Sequence, residues 1–383
     1  MFRGRIGIIQ RIFAGYRKPF FEKLGSLPSI DVSVFAGQPL QNESIVTAEK
    51  LSSAHLWPTK NLYWTVISGY MLCWQSGISQ WLHEFNPDVL IIGAEPRLLS
   101  SRFAIWWMKR RHRLSIGWGL GELPRSGPRF LALAHYLYTR NFIHCLDGLL
   151  TYSSKAAQDY CKLGIPADRI FVAHNAIDNI ESEMFLSKWG SDDSWRSQWK
   201  TDIDIDPDLP VLLFVGRLLP QKKVEMLIRA CIPLLGQCQI LIVGDGPWKS
   251  YLEDYAKPYS KHIRFVGYQS GEMLAKCFIA ADIFILPGWG GLALYQAMSY
   301  GKPVIVSFGD GTETDLVRNG ENGVFFRPDD EGDLKEKICS LLGQKERLVE
   351  MGQTSIEIIR KEMSLDAMVD SFYRALSVLS ATK

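Results

Sequence analysis

Ile283-Phe284-Ile285-Leu286-Pro287-Gly288-Trp289-Gly290-Gly291-Leu292-Ala293-Leu294-Tyr295-Gln296-Ala297-Met298 changes character twice. Ile283–Leu286 is a continuous apolar run, as in a strand buried on both faces of a parallel sheet. Three glycines follow, and a helix is predicted over Leu292–Ser299. A strand that feeds a tight turn and then a helix is the repeating unit of α/β proteins. The first N–H groups of such a helix have no intrahelical acceptor, and the helix dipole is positive there. Gly290, Gly291 and Leu292 therefore form a candidate anion site, and Gln296, one turn on, can turn its amide toward the same ligand.

The same unit recurs on both sides. Downstream of residue 210, strands are predicted at Leu212–Val215, Gln239–Val243, Ile263–Val266, Ile283–Leu286, Pro303–Val306 and Gly323–Phe326, with helices between them and a helical tail over Asp333–Leu379. Upstream, strands are predicted at Arg5–Gln10, Asp31–Phe35, Val89–Ile92, Leu114–Gly117, Gly148–Tyr152 and Ile170–Ala173. Gly69–Phe85 has apolar residues at helical spacing and reads as one helix. The alternation fails over Glu181–Pro210, which is polar with Trp189, Trp195 and Trp199 spaced through it. The expected fold is α/β: two Rossmann-like, doubly wound parallel-sheet domains facing each other across a cleft, with ligands at the C-terminal ends of the strands. The expected boundaries are 1–178, a connection over 179–209, and a second domain over 210–360.

Composition agrees with two globular domains. The chain has 383 residues, 47% hydrophobic and 22% charged, which excludes a disordered or collagen-like protein. Forty-three basic residues against 41 acidic ones leave a net charge of +2, too balanced for a nucleic-acid coat, and no nucleic-acid partner is expected. No apolar run reaches 18 residues. The apolar stretch after Arg5 is too short for a signal peptide and reads as the first strand. Seven cysteines, none in a C-x-x-C pair, read as reduced and mostly buried, which fits a cytoplasmic protein without a zinc site.

Two further turns carry chemistry. Phe214-Val215-Gly216-Arg217-Leu218-Leu219-Pro220-Gln221-Lys222 places two cations after a strand, with Gly216 allowing a tight turn. A planar fork and a point charge together suit a diphosphate. Ile242-Val243-Gly244-Asp245-Gly246-Pro247 brings Gly244 and Gly246 to another strand end, where backbone can approach a ligand, although the third glycine of a dinucleotide fingerprint is absent. Asp202-Ile203-Asp204-Ile205-Asp206 has D-x-D spacing but lies in a polar stretch before a strand and reads as a solvated acidic loop; no metal is expected.

The ordered set G-R-L-x-P-x-K, V-G-D-G-P, A-D-I-F-I-L-P, G-L-x-x-x-x-A-M-x-x-G-K-P-V-I and N-G-x-N-G-V-x-F, over Leu212–Asp329, resembles the family-4 glycosyltransferases of the GT-B fold. Tyr16-Arg17-Lys18-Pro19-Phe20-Phe21 and His174-Asn175-Ala176-Ile177-Asp178 extend the resemblance more weakly into the first half. It implies a retaining, metal-independent glycosyltransferase that moves a sugar from a nucleotide-sugar donor, UDP-linked by default and GDP-linked second, to a glycan or lipid-linked glycan acceptor. It implies bacterial surface polysaccharide or lipopolysaccharide synthesis as the setting. Arg217 and Lys222 match the family's pyrophosphate pair, and Gly290–Leu292 its phosphate and sugar contacts. The resemblance also implies that residues 361–383 pack back on the N-terminal domain.

This sequence departs from the family pattern at both of its glutamates, which are eight positions apart: here they are Gly288 and Gln296. Gln296 keeps hydrogen-bonding capacity toward ribose hydroxyls without charge, whereas Gly288 offers backbone alone. Two alternatives to an active variant stay open: a catalytically silent nucleotide-sugar-binding subunit and a GT-B nucleotide-sugar epimerase. Glu95 and Glu122 each follow a predicted strand of the first domain and are candidate catalytic carboxylates beside Arg217 and Lys222. Finally, Trp106-Trp107-Met108-Lys109-Arg110-Arg111 joins aromatics to cations. That pairing suits peripheral contact with the inner face of the cytoplasmic membrane through Trp106, Trp107, Lys109, Arg110 and Arg111.

Overall fold

The computed structural model describes residues 2–40, 43, 46–65, 71–121, 129–190 and 194–382, with backbone alone at 129–132. They divide into two compact units, Met1–Asp178 with Leu365–Lys383, and Asn179–Ser364.

The first unit holds strands β1 (Gly4–Ile12), β2 (Ile30–Gly37), β3 (His55–Pro58), β4 (Asn61–Thr65), β5 (Met71–Gln75), β6 (Val89–Gly93), β7 (Leu114–Gly119), β8 (Gly148–Thr151) and β9 (Ile170–Val172). Its helices are α1 (Lys18–Gly25), α2 (Ile78–Phe85), α3 (Leu99–Lys109), α4 (Arg129–Ile143) and α5 (Ser154–Lys162). Among the described residues the main sheet runs β3-β2-β1-β6-β7-β8-β9 with parallel pairing throughout. Val89–Ile92 is buried on both faces, as its unbroken apolar run requires. The expected single helix over Gly69–Phe85 is corrected. Met71–Gln75 is a strand that pairs antiparallel with β4, Tyr63 opposite Cys73, and only Ile78–Phe85 is helical. Within β5, Cys73 and Gln75 are buried while their neighbours are half-exposed, so period two prevails. Gly77, at φ 79°, then turns the chain into α2.

The second unit begins with α6 (Ile180–Trp189) and α7 (Ser194–Asp202). Then β10 (Val211–Val215), α8 (Val224–Cys231), β11 (Gln239–Val243), α9 (Lys249–Ala256), β12 (Ile263–Gly267), α10 (Gly271–Ala280), β13 (Ile283–Leu286), α11 (Leu292–Ser299), β14 (Val304–Val306), α12 (Glu313–Leu316) and β15 (Gly323–Phe325) alternate. Helices α13 (Glu331–Leu341) and α14 (Lys345–Lys361) complete it. The sheet order is β12-β11-β10-β13-β14-β15, again parallel. Residues 179–209, expected as a connection, are grouped with this unit. Trp189, Trp195 and Trp199 stack edge to face at 5.4 and 6.1 Å, and the Lys276 ammonium of α10 lies 4.4 Å from the Trp189 ring. These tryptophans therefore fasten α6 and α7 to the second sheet's helical layer.

The last helix, α15 (Leu365–Ala381), belongs to the first unit, and its Phe372 packs against Phe20 and Trp118. The helical tail is thus three helices in two units.

Candidate functional site

In a doubly wound sheet, ligands bind where neighbouring strands send their helices to opposite sides. In the second unit that switch lies between β10 and β13: β11 and β12 extend from one, β14 and β15 from the other. The turns after β10 and β13 therefore meet at the sheet's C-terminal edge.

They are bonded to each other. The Trp289 N–H donates to the Gln221 carbonyl at 3.0 Å, and Lys222 Nζ donates back to the Trp289 carbonyl at 2.7 Å and to the Gly290 carbonyl. The ammonium is thus seated on the turn that opens α11. Burial holds its pKa below the usual lysine value, opposed by the charge of Asp310. A Cβ at Gly288 would stand 2.2 Å from the Gln221 carbonyl oxygen and 2.8 Å from the Lys222 carbonyl carbon. Backbone therefore fills the space that a side chain at position 288 would need.

The turn after β11 is tied in from the other side. Gly216 N–H donates to the Val243 carbonyl, and Leu218 N–H to the Asp245 carbonyl at 2.8 Å. Arg217 lies between these two anchors and is exposed. Gly244 (φ 137°) passes so close to the Gly216 carbonyl that a Cβ would stand 1.9 Å from its oxygen, so glycine is required there. Asp245 accepts from Gly246 N–H at 2.7 Å and sits 3.5 Å from Lys249 Nζ, while Trp248 is the N-cap of α9. The carboxylate shapes the turn and does not cap the helix.

The turn after β14 adds two acids that sequence reasoning missed. Asp310 lies beside Gly290, within 2.9 Å of where a Cβ there would project, and accepts from Thr312 N–H and Oγ1. Glu313 is 1% exposed and accepts from Gly309 N–H at 2.8 Å and Gly311 N–H at 3.1 Å. Burial pushes its pKa up, Asp310 adds to the push, and the N–H donors oppose it. The available signal was their position: both follow a strand that ends at the same sheet edge. Gln296 is half-buried in α11, one turn from the Gly290–Leu292 segment.

In the first unit the switch lies between β1 and β6. Glu95 follows β6; it is exposed and its carboxylate is held by Arg97 at 2.6–2.7 Å. Glu122 lies outside the described residues. Arg17, quoted above only for resemblance, follows β1. Its guanidinium lies 4.1 Å from the Trp118 ring and donates to Tyr152 Oη at 2.5 Å, and its Nη1 is buried without a hydrogen-bond partner among the described residues. The D-x-D carboxylates are directed apart: Asp204 pairs with Arg264, and Asp202 accepts from Gln198. Among the described residues no cluster of three or more His, Cys, Asp and Glu side chains is placed to hold a metal.

The expected aromatic–cation patch is corrected at one residue. Trp107 is 3% exposed and packs in the core under Arg111, so it has no outward face. Trp106 is 49% exposed, with the Arg110 guanidinium 4.4 Å from its ring. Among the described residues no helix is long and apolar enough to cross a membrane.

Residues 196–357 match the sequence profile of the family "Glycosyl transferases group 1". Over 202 residues, 49% of this chain, the sequence is 30% identical to the uncharacterized glycosyltransferase MJ1607 of Methanocaldococcus jannaschii. The chain spans about half the length of the curated relatives it matches. The crystal structure of Anabaena Alr3699/HepE in complex with UDP is similar over 97% of this chain and 99% of that one, with a TM-score of 0.73 and 15% identity. The apo lipopolysaccharide outer core galactosyltransferase WaaB is similar over 97% and 99%, with a TM-score of 0.68 and 19% identity. The fold is the GT-B fold, with two Rossmann-like parallel-sheet domains.

Proposed function

We propose that this chain is a retaining glycosyltransferase that moves a sugar from a nucleotide diphosphate, UDP first and GDP second, to a glycan or lipid-linked glycan in bacterial surface-polysaccharide assembly. One observation carries the reading: Lys222 is seated on the glycine-rich start of α11 at the switch point, inside the segment that matches the glycosyltransferase profile. The UDP of the Anabaena neighbour and the lipopolysaccharide role in the name of the galactosyltransferase support the donor and the setting.

In this reading the chain meets one electrostatic demand, the negative charge that grows on the leaving diphosphate. Arg217 takes it with a planar fork, Lys222 with a point charge, and the first N–H groups of α11 with the positive end of the helix. The turns at Gly216, Gly244 and Gly246 let backbone come close to the nucleotide. Gln296 exchanges hydrogen bonds with the ribose hydroxyls. Asp310, beside Gly290, supplies a carboxylate near the donor sugar where Gly288 supplies none. The acceptor attacks from the face the diphosphate leaves, and a donor phosphate oxygen takes its proton, so no dedicated base is required. Trp106, Lys109, Arg110 and Arg111 bring the protein to an anionic membrane surface.

The closed space at Gly288 favours a second reading, a catalytically silent nucleotide-sugar-binding subunit. The deciding experiment incubates the purified chain with UDP-, GDP- and ADP-sugars and measures nucleoside diphosphate release alongside binding. Release from one donor is the expected result. Tight binding without release, lipid acceptors included, would establish the silent subunit.

A further inference from the structure

Helix α3 and the end of α4, in the first unit, border a cavity of about 500 Å³, lined by Arg102, Ile105, Trp106, Lys109, Arg110 and Phe142 with Cys145. Its residues run along α3, from Arg102 in the first turn to Lys109 and Arg110 at the end, and include Phe142 at the end of α4 with Cys145 just beyond it; none of them belongs to the turns described above. Among the described residues its lining has three cations and no carboxylate. Arg102 is held over the rings of Tyr138 and Phe142, at 4.2 and 5.2 Å. Its Nε and Nη2 are buried without a hydrogen-bond partner among the described residues.

Those two nitrogens form one edge of the guanidinium plane, the edge whose parallel N–H bonds match two oxygens of a phosphate or carboxylate. A buried edge left unpaired is costly, and a bound oxyanion supplies both missing acceptors. Three cations without a counter-charge favour a phosphate over a singly charged carboxylate. The remaining wall, Ile105, Phe142 and Cys145, is apolar, and the half-exposed Trp106 ring beside it favours lipid over a free anion.

We propose that this cavity binds the terminal phosphate of an anionic membrane lipid, with the Arg102 fork on the phosphate, Lys109 and Arg110 at the rim, and Trp106 at headgroup depth. This deepens the membrane-contact reading by giving it a headgroup-selective site.

The test uses the full chain with vesicles of phosphatidylcholine containing either phosphatidic acid or phosphatidylserine at matched surface charge. Wild type is expected to bind the phosphatidic acid vesicles about tenfold more tightly. Arg102→Gln should erase that preference while leaving nucleoside diphosphate release unchanged. Trp106→Ala, a change at an exposed ring, should weaken binding to both vesicles without lowering Tm. Equal binding of wild type to both vesicles, or a preference that survives in Arg102→Gln, would overturn the proposal. So would binding of inorganic phosphate without binding to either vesicle, which would assign the fork to a soluble anion. Vesicle binding is read apart from donor turnover, so this site and the transferase reading can fail independently.

Discussion

Lys222 and Trp289 are joined by a single hydrogen bond, Nζ to carbonyl oxygen at 2.7 Å, that ties the turn after β10 to the turn after β13. The cation assigned to the diphosphate is thus held by the loop that opens the anion-binding helix. Lys222→Met should lower nucleotide affinity by about ten- to a hundredfold, the worth of one charge-assisted contact. Burial lowers the Lys222 pKa, so with rising pH its charge is lost earlier than from an ordinary lysine. Nucleotide affinity measured by calorimetry should therefore fall on the alkaline side below pH 10.5, and Lys222→Arg should remove that fall because guanidinium stays charged. An alkaline profile identical in both proteins would remove Lys222 from the site.

Gly288 permits a second prediction. A glutamate at this position would force a Cβ to within 2.2 Å of the Gln221 carbonyl oxygen. Gly288→Ala and Gly288→Glu should each destabilise the second unit by about 1–3 kcal/mol or more, the usual cost of overpacking, and neither should raise donor turnover. A Gly288→Glu protein with unchanged Tm and faster turnover would show that the two turns separate readily.

The doubly wound alternation was legible because fully buried strands advertise themselves: Val89–Ile92, Leu212–Phe214 and Ile283–Leu286 are unbroken apolar runs and lie in the cores of their sheets. The β4–β5 ribbon was not. Three of the five residues of Met71–Gln75 are half-exposed, and such a mixed stretch before a real helix satisfies helical spacing by chance. Glycine-rich turns and cations were visible at the site, because Gly216, Gly244 and Gly290 are local signals. Asp310 and Glu313 were hidden by their ordinary local sequence; only the order β13-β14 brings their turn beside Gly290. Trp107 misled for a related reason. Adjacent tryptophans on a helix point about 100° apart, so Trp106 faces outward and Trp107 inward.

Glu313 makes stability pH-dependent. Its folded pKa is raised above the ordinary 4.5, so the folded state favours the protonated acid. The stabilisation is complete below the unfolded pKa and is lost as pH rises through the folded one. Glu313→Gln is close in shape to the protonated acid and cannot ionise. From pH 4 upward, the urea midpoint of the wild-type second unit should fall relative to that of the variant. A difference that stays constant across that range would mean the Gly309 and Gly311 N–H donors fully offset burial.

Phe372 decides which unit the chain's end supports. Helix α15 follows the second unit in sequence, yet Phe372 is fully buried in the first, 4.7 Å from the Phe20 ring and 5.0 Å from that of Trp118. Those partners lie on α1 and β7, far apart in the first unit's sequence, so the last helix helps close a core built from distant parts of that unit. Phe372→Ala should cost about 3–5 kcal/mol, the loss of a buried aromatic side chain plus the cavity it leaves. The cost should appear in one unit alone. Hydrogen exchange followed by mass spectrometry should show faster exchange in β1, α1 and β7, with β10, β11 and β13 unchanged. Acceleration confined to the second unit, whose α14 immediately precedes α15, would mean that the terminal helix is energetically part of its sequence neighbour and that its packing on Phe20 contributes little.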